Sequence, residues 1–182
     1  MDANQLKNFR PVSNLPFLSK LLEKVVQTQL QAYLDEHDAT PRHQSAFRRH
    51  HSTETALLIK VYNDLLLAAD NGKMPALVLL DLTAAFDTVD HELLLLRLER
   101  QFGVCGRALN WFQSYLTGRT YCVVFGGSKS SVIHVTCSVP QGSVLGPLLF
   151  ILYTADLAHQ RQHSVQTCML SRMTLSYTYI AA

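Results

Sequence analysis

The sequence predicts a mixed fold of helices and strands, α/β or α+β, and three observations carry that expectation. Residues 77–82 form a Val- and Leu-containing apolar run, bounded upstream by Gly72 and Pro75, which reads as a strand buried on both faces. Helical periods flank it before and after in the chain. Two segments rich in β-branched and aromatic residues, 120–125 and 131–137, are joined through Gly126-Gly127-Ser128 and read as a hairpin.

The 182 residues suffice for one domain, or for two small lobes sharing a core. Sixteen Lys and Arg stand against 14 Asp and Glu, so the whole-chain field argues only weakly for a nucleic-acid partner, and local clustering matters more. Cys105, Cys122, Cys137 and Cys168 form no CxxC pair and have no His at zinc-ligand spacing, so they read as reduced core thiols of an intracellular protein. The N-terminus lacks a basic-then-apolar targeting pattern. The longest apolar stretch, around residues 144–155, is too short and too broken by Gly and Pro to span a bilayer.

In chain order, residues 5–18 carry two prolines and no helical period, an extended lead-in. From 19 to about 35, Leu22, Val25, Val26, Leu30 and Tyr33 share one helical face with Lys24, Gln27 and Gln31 opposite. Residues 40–51 hold three arginines and three histidines around Phe47, a basic patch whose arginine forks suit phosphate oxygens. The alternative there is a solvated loop with a packed Phe47. Ser52 can cap a helix running to about 69, with Glu54 in its first turn and Leu57, Leu58, Val61, Leu65 and Ala68 on its apolar face. It turns through residues 70–73 into the strand.

That strand delivers Asp81 at its end. A carboxylate at the mouth of a sheet must be neutral, paired, hydrogen-bonded or bound to a cation; equally, it could cap the next helix. The small residues of Thr83-Ala84-Ala85 allow close backbone approach, and the Phe86 ring by itself reads as packing. Asp87 and Asp90 follow on a turn, and Asp90 can cap a Leu-rich helix over 91–102 that Gly103 ends. Residues 108–116 read as another helix, stopped by Gly118, with Trp111 as a core or inter-helix anchor. After the hairpin, Gly142 permits close backbone approach to a ligand, Gln141 offers both a donor and an acceptor, and residues 148–153 start a buried helix.

Four ordered blocks carry a resemblance. Asn8-Phe9-Arg10-Pro11-Val12-Ser13, Gln44-Ser45-Ala46-Phe47-Arg48, the stretch from Leu77 through Asp81 to His91, and Val139-Pro140-Gln141-Gly142-Ser143-Val144-Leu145-Gly146-Pro147 resemble, in family order, the reverse transcriptases of non-LTR (LINE-type) retrotransposons. The resemblance covers roughly residues 5–157. It implies an α+β polymerase palm with partial fingers, incomplete at the C-terminus: a fingers-like segment over 1–76, a palm segment over 77–157, and an unrelated tail over 158–182.

The activity it implies is template-directed nucleotidyl transfer by an RNA-directed DNA polymerase, using an RNA template, a DNA primer, dNTPs and two Mg²⁺ ions. Asp81 is then the catalytic metal ligand, Arg48 holds the triphosphate, Phe86 gates the sugar, and Gln141 and Gly142 lie near the nascent base pair. Asp87 is a further candidate. Ala46 stands where the family usually has glycine. The family's Tyr-Ala-Asp-Asp hairpin, which supplies further carboxylates, has no counterpart, so the chain as written is expected to be inactive. Residues 168–179 read as a shifted frame of that hairpin: offset by two bases, the junction of Met173 and Thr174 must spell Asp, as expected of a frameshifted or mis-spliced copy.

The alternatives are of other classes. A phosphotransferase with an aspartate nucleophile also ends a strand Leu-Leu-Asp-Leu-Thr, but usually has a second Asp where Thr83 stands. A non-catalytic nucleic-acid-binding relic, or a translated fragment without selected function, would share residues 1–157 with a working enzyme.

Overall fold

The computed structural model describes residues 12–40, 46–47, 50, 52, 61–81, 84–125, 127–156, 165–171 and 174–181, and of these 76–81, 125 and everything beyond 164 by backbone alone. The chain forms two compact units, one from Met1–Leu34 and Phe86–Phe150, the other from Asp35–Ala85 and Ile151–Ala182.

In the first unit, helix α1 (Phe17–Glu36) buries Glu23, Leu30 and Leu34. The buried face is therefore rotated from the one the apolar period suggests: Leu22 and Val25, expected inside, are 53% and 49% exposed. The physical reason is Glu23, whose carboxylate accepts two backbone N–H groups and draws its own side of the helix inward.

In the second unit, helix α2 (Asn63–Asp70) buries Ala68, with Val61 buried just before it, as its period predicts. Ser52 is described and exposed, and the first turns expected after it, residues 53–60, lie outside the described residues. Gly72, at φ +69°, donates to Ala69 O at 2.9 Å and turns the chain into strand β1 (Met74–Asp81).

A 3₁₀ turn, Ala85–Thr88, then leads in the first unit to α3 (His91–Arg100), where the Asp90 carboxylate accepts from Leu93 N at 2.8 Å as the expected cap. Gly103, at φ +69°, ends that helical run. Helix α4 (Gly106–Leu116) follows, its Trp111 half-buried and stacked on Tyr115 at 5.3 Å and 11°. Leu94, Leu98, Phe112, Leu116, Leu145 and Leu149 are among the residues that make this unit's core.

The hairpin forms as two short ladders rather than one. β2 (Thr120–Tyr121) pairs with β5 (Ile133–His134), and β3 (Val124–Phe125) with β4 (Ser128–Lys129). The returning strand, expected over 131–137, thus starts at Ser128 and breaks at Ser130, whose hydroxyl takes the Val123 N–H at 2.9 Å in place of a backbone carbonyl. Cys105 and Cys137 are exposed and Cys122 half-buried, all free thiols, so they are not the core residues the sequence suggested. Helix α5 (Gly146–Tyr153) closes the Val139-Pro140-Gln141-Gly142-Ser143 loop; Leu148, Leu149, Phe150, Ile151 and Leu152 are all buried, as an all-apolar helix requires.

The second unit's sheet is built from β1, β6 (Val165–Ser171) and β7 (Thr174–Ala181), in the order β1-β7-β6, every pair antiparallel. Asp81 pairs in register with Thr174 and Met74 with Ala181. The α/β alternative, a doubly wound parallel sheet with this strand between two parallel neighbours, is thereby ruled out for this strand. β1, expected in the centre of a sheet, is an edge among the described strands, and it runs through Pro75 instead of starting after it. Proline lacks the N–H a second ladder would need, so an edge position accommodates it. No described helix is long and apolar enough to cross a membrane.

Candidate functional site

The first unit brings Phe86, Asp87, Gln141 and Gly142 together. The 3₁₀ turn carrying Phe86 and Asp87 and the loop carrying Gln141 and Gly142 are tied by their backbones, since Val139 N donates to Phe86 O at 2.8 Å and Ser138 N to Val89 O at 2.8 Å. The Phe86 ring packs against Phe150 of α5, centroids 5.2 Å apart at 47°, and remains partly exposed. One side of the ring is therefore fixed by the core.

Gln141 Nε2 donates to both Asp87 oxygens, at 3.1 and 3.2 Å. An ionised carboxylate only accepts, so this contact fixes which end of the amide faces Asp87 and leaves the Gln141 carbonyl oxygen as the end free for another partner. The Gln141 carbonyl of the main chain accepts from Ser13 N at 2.8 Å. Next to it, Gly142 has φ +91°, a conformation that L side chains rarely adopt, and a Cβ there would stand 3.5 Å from Ser13 O and from Val12 Cγ1. At the loop's entry, His91 is buried and its Nε2 donates to Ser138 O at 2.7 Å. At its exit, Ser143 Oγ accepts from Gly146 N at 2.8 Å and caps α5.

Sequence reasoning passed over Glu23, which is 1% exposed; its Oε2 accepts from Val144 N at 2.7 Å and Leu145 N at 3.3 Å. The signal was present as a charge on the stripe 23, 30, 34 that the helix buries. Tyr115 of α4 lies against Glu23 and Ser143 without a well-formed hydrogen bond to either. Burial first, and the Glu23 charge second, push its phenol up from 10.0 to about 12.

The other expected site residues are not part of this cluster's described geometry. Asp81 ends β1 in the second unit, and its backbone alone is described. Arg48 lies outside the described residues. Phe47, which the solvated-loop alternative would pack, is 51% exposed. Among the described residues no three His, Cys, Asp or Glu side chains converge on a point where a metal ion could be held. With Asp87 engaged by Gln141, the described donors do not by themselves fit a two-metal centre.

The apo telomerase of Candida tropicalis, truncated from its C-terminal domain, superposes with a TM-score of 0.60 over 96% of this chain and 39% of that one, at 16% identity, so the likeness is one of fold. The family profile "Reverse transcriptase (RNA-dependent DNA polymerase)" matches residues 2–177. The chain belongs to the reverse transcriptase family. Similar relatives are the probable RNA-directed DNA polymerase from transposon X-element and that from mobile element jockey, both of Drosophila melanogaster and both 36% identical over 82% of this chain. A type-1 retrotransposable element R2 polyprotein of Popillia japonica is 29% identical over the same share. The chain spans 16% of the length of the two Drosophila relatives and 20% of the R2 polyprotein.

Proposed function

We propose that this chain is a nucleotide- and template-contacting portion of a retrotransposon-type RNA-directed DNA polymerase, acting on an RNA template, a DNA primer and dNTPs. The observation that carries the reading is the Asp87–Gln141–Gly142 arrangement, a loop held in place beside the tilted ring pair of Phe86 and Phe150. Phe86, braced by Phe150, limits what fits at the 2′ position of a nucleotide sugar. Gln141, oriented by Asp87, offers its carbonyl oxygen to the base pair, and Gly142 lets the backbone come close. Arg48 would meet the triphosphate, and Asp81 would bind metal at the end of β1.

Asp81 would be the ligand this chain supplies to a two-Mg²⁺ centre, whose ions would activate the primer hydroxyl and stabilise the leaving oxygens. One carboxylate cannot hold both, so the chain by itself is expected not to extend a primer. The fingers-like assignment of 1–76, the palm assignment of 77–157 and the origin of 158–182 as a shifted frame belong to the same reading. The test is a chimera in which a Tyr-Ala-Asp-Asp hairpin replaces residues 165–181. Mg²⁺-dependent primer extension should appear, Asp81→Ala should abolish it, and Asp87→Ala should only weaken it. Extension retained by the Asp81 variant would reject the assignment.

A further inference from the structure

The loop that presents Gln141 and Gly142 runs into a helix, and the N–H groups at that entrance, from Val144 to Gly146, are taken from two sources. Gly146 N is taken by Ser143 Oγ within the loop, Pro147 has no N–H, and Leu145 N and Val144 N both go to Glu23 Oε2, more than a hundred residues away in sequence. α5 carries no acidic residue in its own first turn. A carboxylate supplied by α1 therefore occupies the place where the helix dipole favours negative charge. One turn along α1, Gln27 Nε2 donates to Val144 O at 3.4 Å, so the same helix face holds both sides of one residue of the loop.

We propose that Glu23 is a positioning residue: its buried carboxylate fixes residues 144–145, and through them the height of Gln141 and Gly142 against the Asp87 turn. Simple packing would not need a carboxylate at this position. A carboxylate that is 1% exposed is costly to bury, and a leucine of similar volume would avoid the cost. Among the described residues its Oε1 accepts no well-formed hydrogen bond, although the Tyr115 phenol lies against the carboxylate, and both of its hydrogen bonds go to the loop through Oε2. The functional weight of the clamp rests on the polymerase reading, while its existence does not.

The test uses the full chain with Glu23→Leu, Glu23→Gln and, as an exposed control on the same helix, Gln29→Ala, reading backbone amide exchange residue by residue by NMR. Removing a hydrogen bond to a charged group should speed exchange at Val144 and Leu145 about 10- to 100-fold in the leucine variant. The Gln141 side-chain amide resonances should shift with it. The glutamine variant keeps an acceptor without the charge and should show a smaller, partial loss of protection at the same two residues, and the control should change neither.

If the leucine variant fails to fold, the glutamine variant decides: partial loss of protection confined to 144–145 supports the clamp. Unchanged exchange at Val144 and Leu145 in either variant overturns it. Binding of a labelled primer–template with dNTP is measured alongside. Loss of affinity in the leucine variant at unchanged thermal midpoint supports the positioning role, and unchanged affinity despite lost protection overturns it. Wild-type protein that shows the exchange contrast but binds no primer–template supports the clamp and overturns the polymerase reading instead.

Discussion

The loop at residues 139–145 and the strand β1 were both expected to carry chemistry, yet they are held by opposite means. The loop is fixed by side chains of particular kinds reaching from distant places in the chain: Glu23 on Val144 and Leu145, Asp87 on Gln141, His91 on Ser138. β1 is described by its backbone ladder to β7, with eight register pairs from Met74↔Ala181 to Asp81↔Thr174. A ladder asks for a strand and not for an identity. The loop should therefore be broken by single substitutions, and the sheet by removing a segment.

The largest expected effect follows from the sheet. Truncation after Ser164 removes both β6 and β7 and leaves β1 with no partner among the described strands. About eight ladder bonds at roughly 0.5–1.5 kcal/mol each come to something on the order of 4–12 kcal/mol, comparable with the whole stability of a domain. Amide exchange across 74–81 should become unprotected and the second unit should lose its cooperative thermal transition. Retained protection of β1 in the truncated protein would show that something other than β7 holds it.

That prediction also marks what could be read in the sequence. Asp90 as a cap, Gly72 in the turn before the strand, Gly103 and Gly118 as helix stops, and a buried helix after Pro147 were legible because each is a local rule acting on adjacent residues. The loop's own motif was legible through family resemblance. Glu23 was not, because a lone charge in a helical period is read as solvent-facing, whereas here its partner is a pair of backbone N–H groups about 120 residues later. The strands at 165–171 and 174–181 were passed over for a different reason. Thr174, Tyr177, Thr178, Tyr179 and Ile180 have strand propensity, but propensity does not name a partner, and pairing with β1 needs no motif that the sequence would display.

A point substitution should break the loop while leaving the sheet alone. A Cβ at Gly146 would stand 2.6 Å from Ser143 Oγ and 3.1 Å from Pro140 O. The hydroxyl can rotate away only by giving up its cap, and the carbonyl belongs to the loop backbone. Gly146→Ala should cost roughly 1–3 kcal/mol, seen as a lower denaturation midpoint together with faster exchange at Ser143. Exchange in β1 should not change. An alanine variant as stable as the wild type would mean the loop yields more easily than its pins suggest.

The Tyr115 phenol sharpens the comparison by pH. Its folded-state value is raised to about 12 from 10.0, so the protonated form is favoured in the folded chain. Its contribution is fully present below pH 10 and is lost between pH 10 and about 12, where the unfolded chain ionises first. A shift of this kind, discounted for the ring's partial exposure, is worth roughly 1–2 kcal/mol. Tyr115→Phe should flatten that part of the stability profile relative to wild type, and Glu23→Gln should move the phenol down by removing the charge that raises it alongside burial. An identical profile for the phenylalanine variant would remove Tyr115 from the account.

The smallest expected effect tests whether the two aspartates on one turn differ. Asp90 accepts from Leu93 N and makes an isolated antiparallel bridge with Cys137, while Asp87 faces the Gln141 amide. Asp90→Ala removes a helix cap and should cost about 1 kcal/mol, and Asp90→Asn, which still caps, only a few tenths. Neither should shift the Gln141 side-chain amide resonances. Asp87→Asn, in contrast, turns an obligate acceptor into a group that can donate as well, so the Gln141 amide is free to flip and its resonances should move with little change in the denaturation midpoint. Equal resonance shifts from the two positions would mean that the turn responds as one rigid piece and that Asp87 does not orient Gln141 individually.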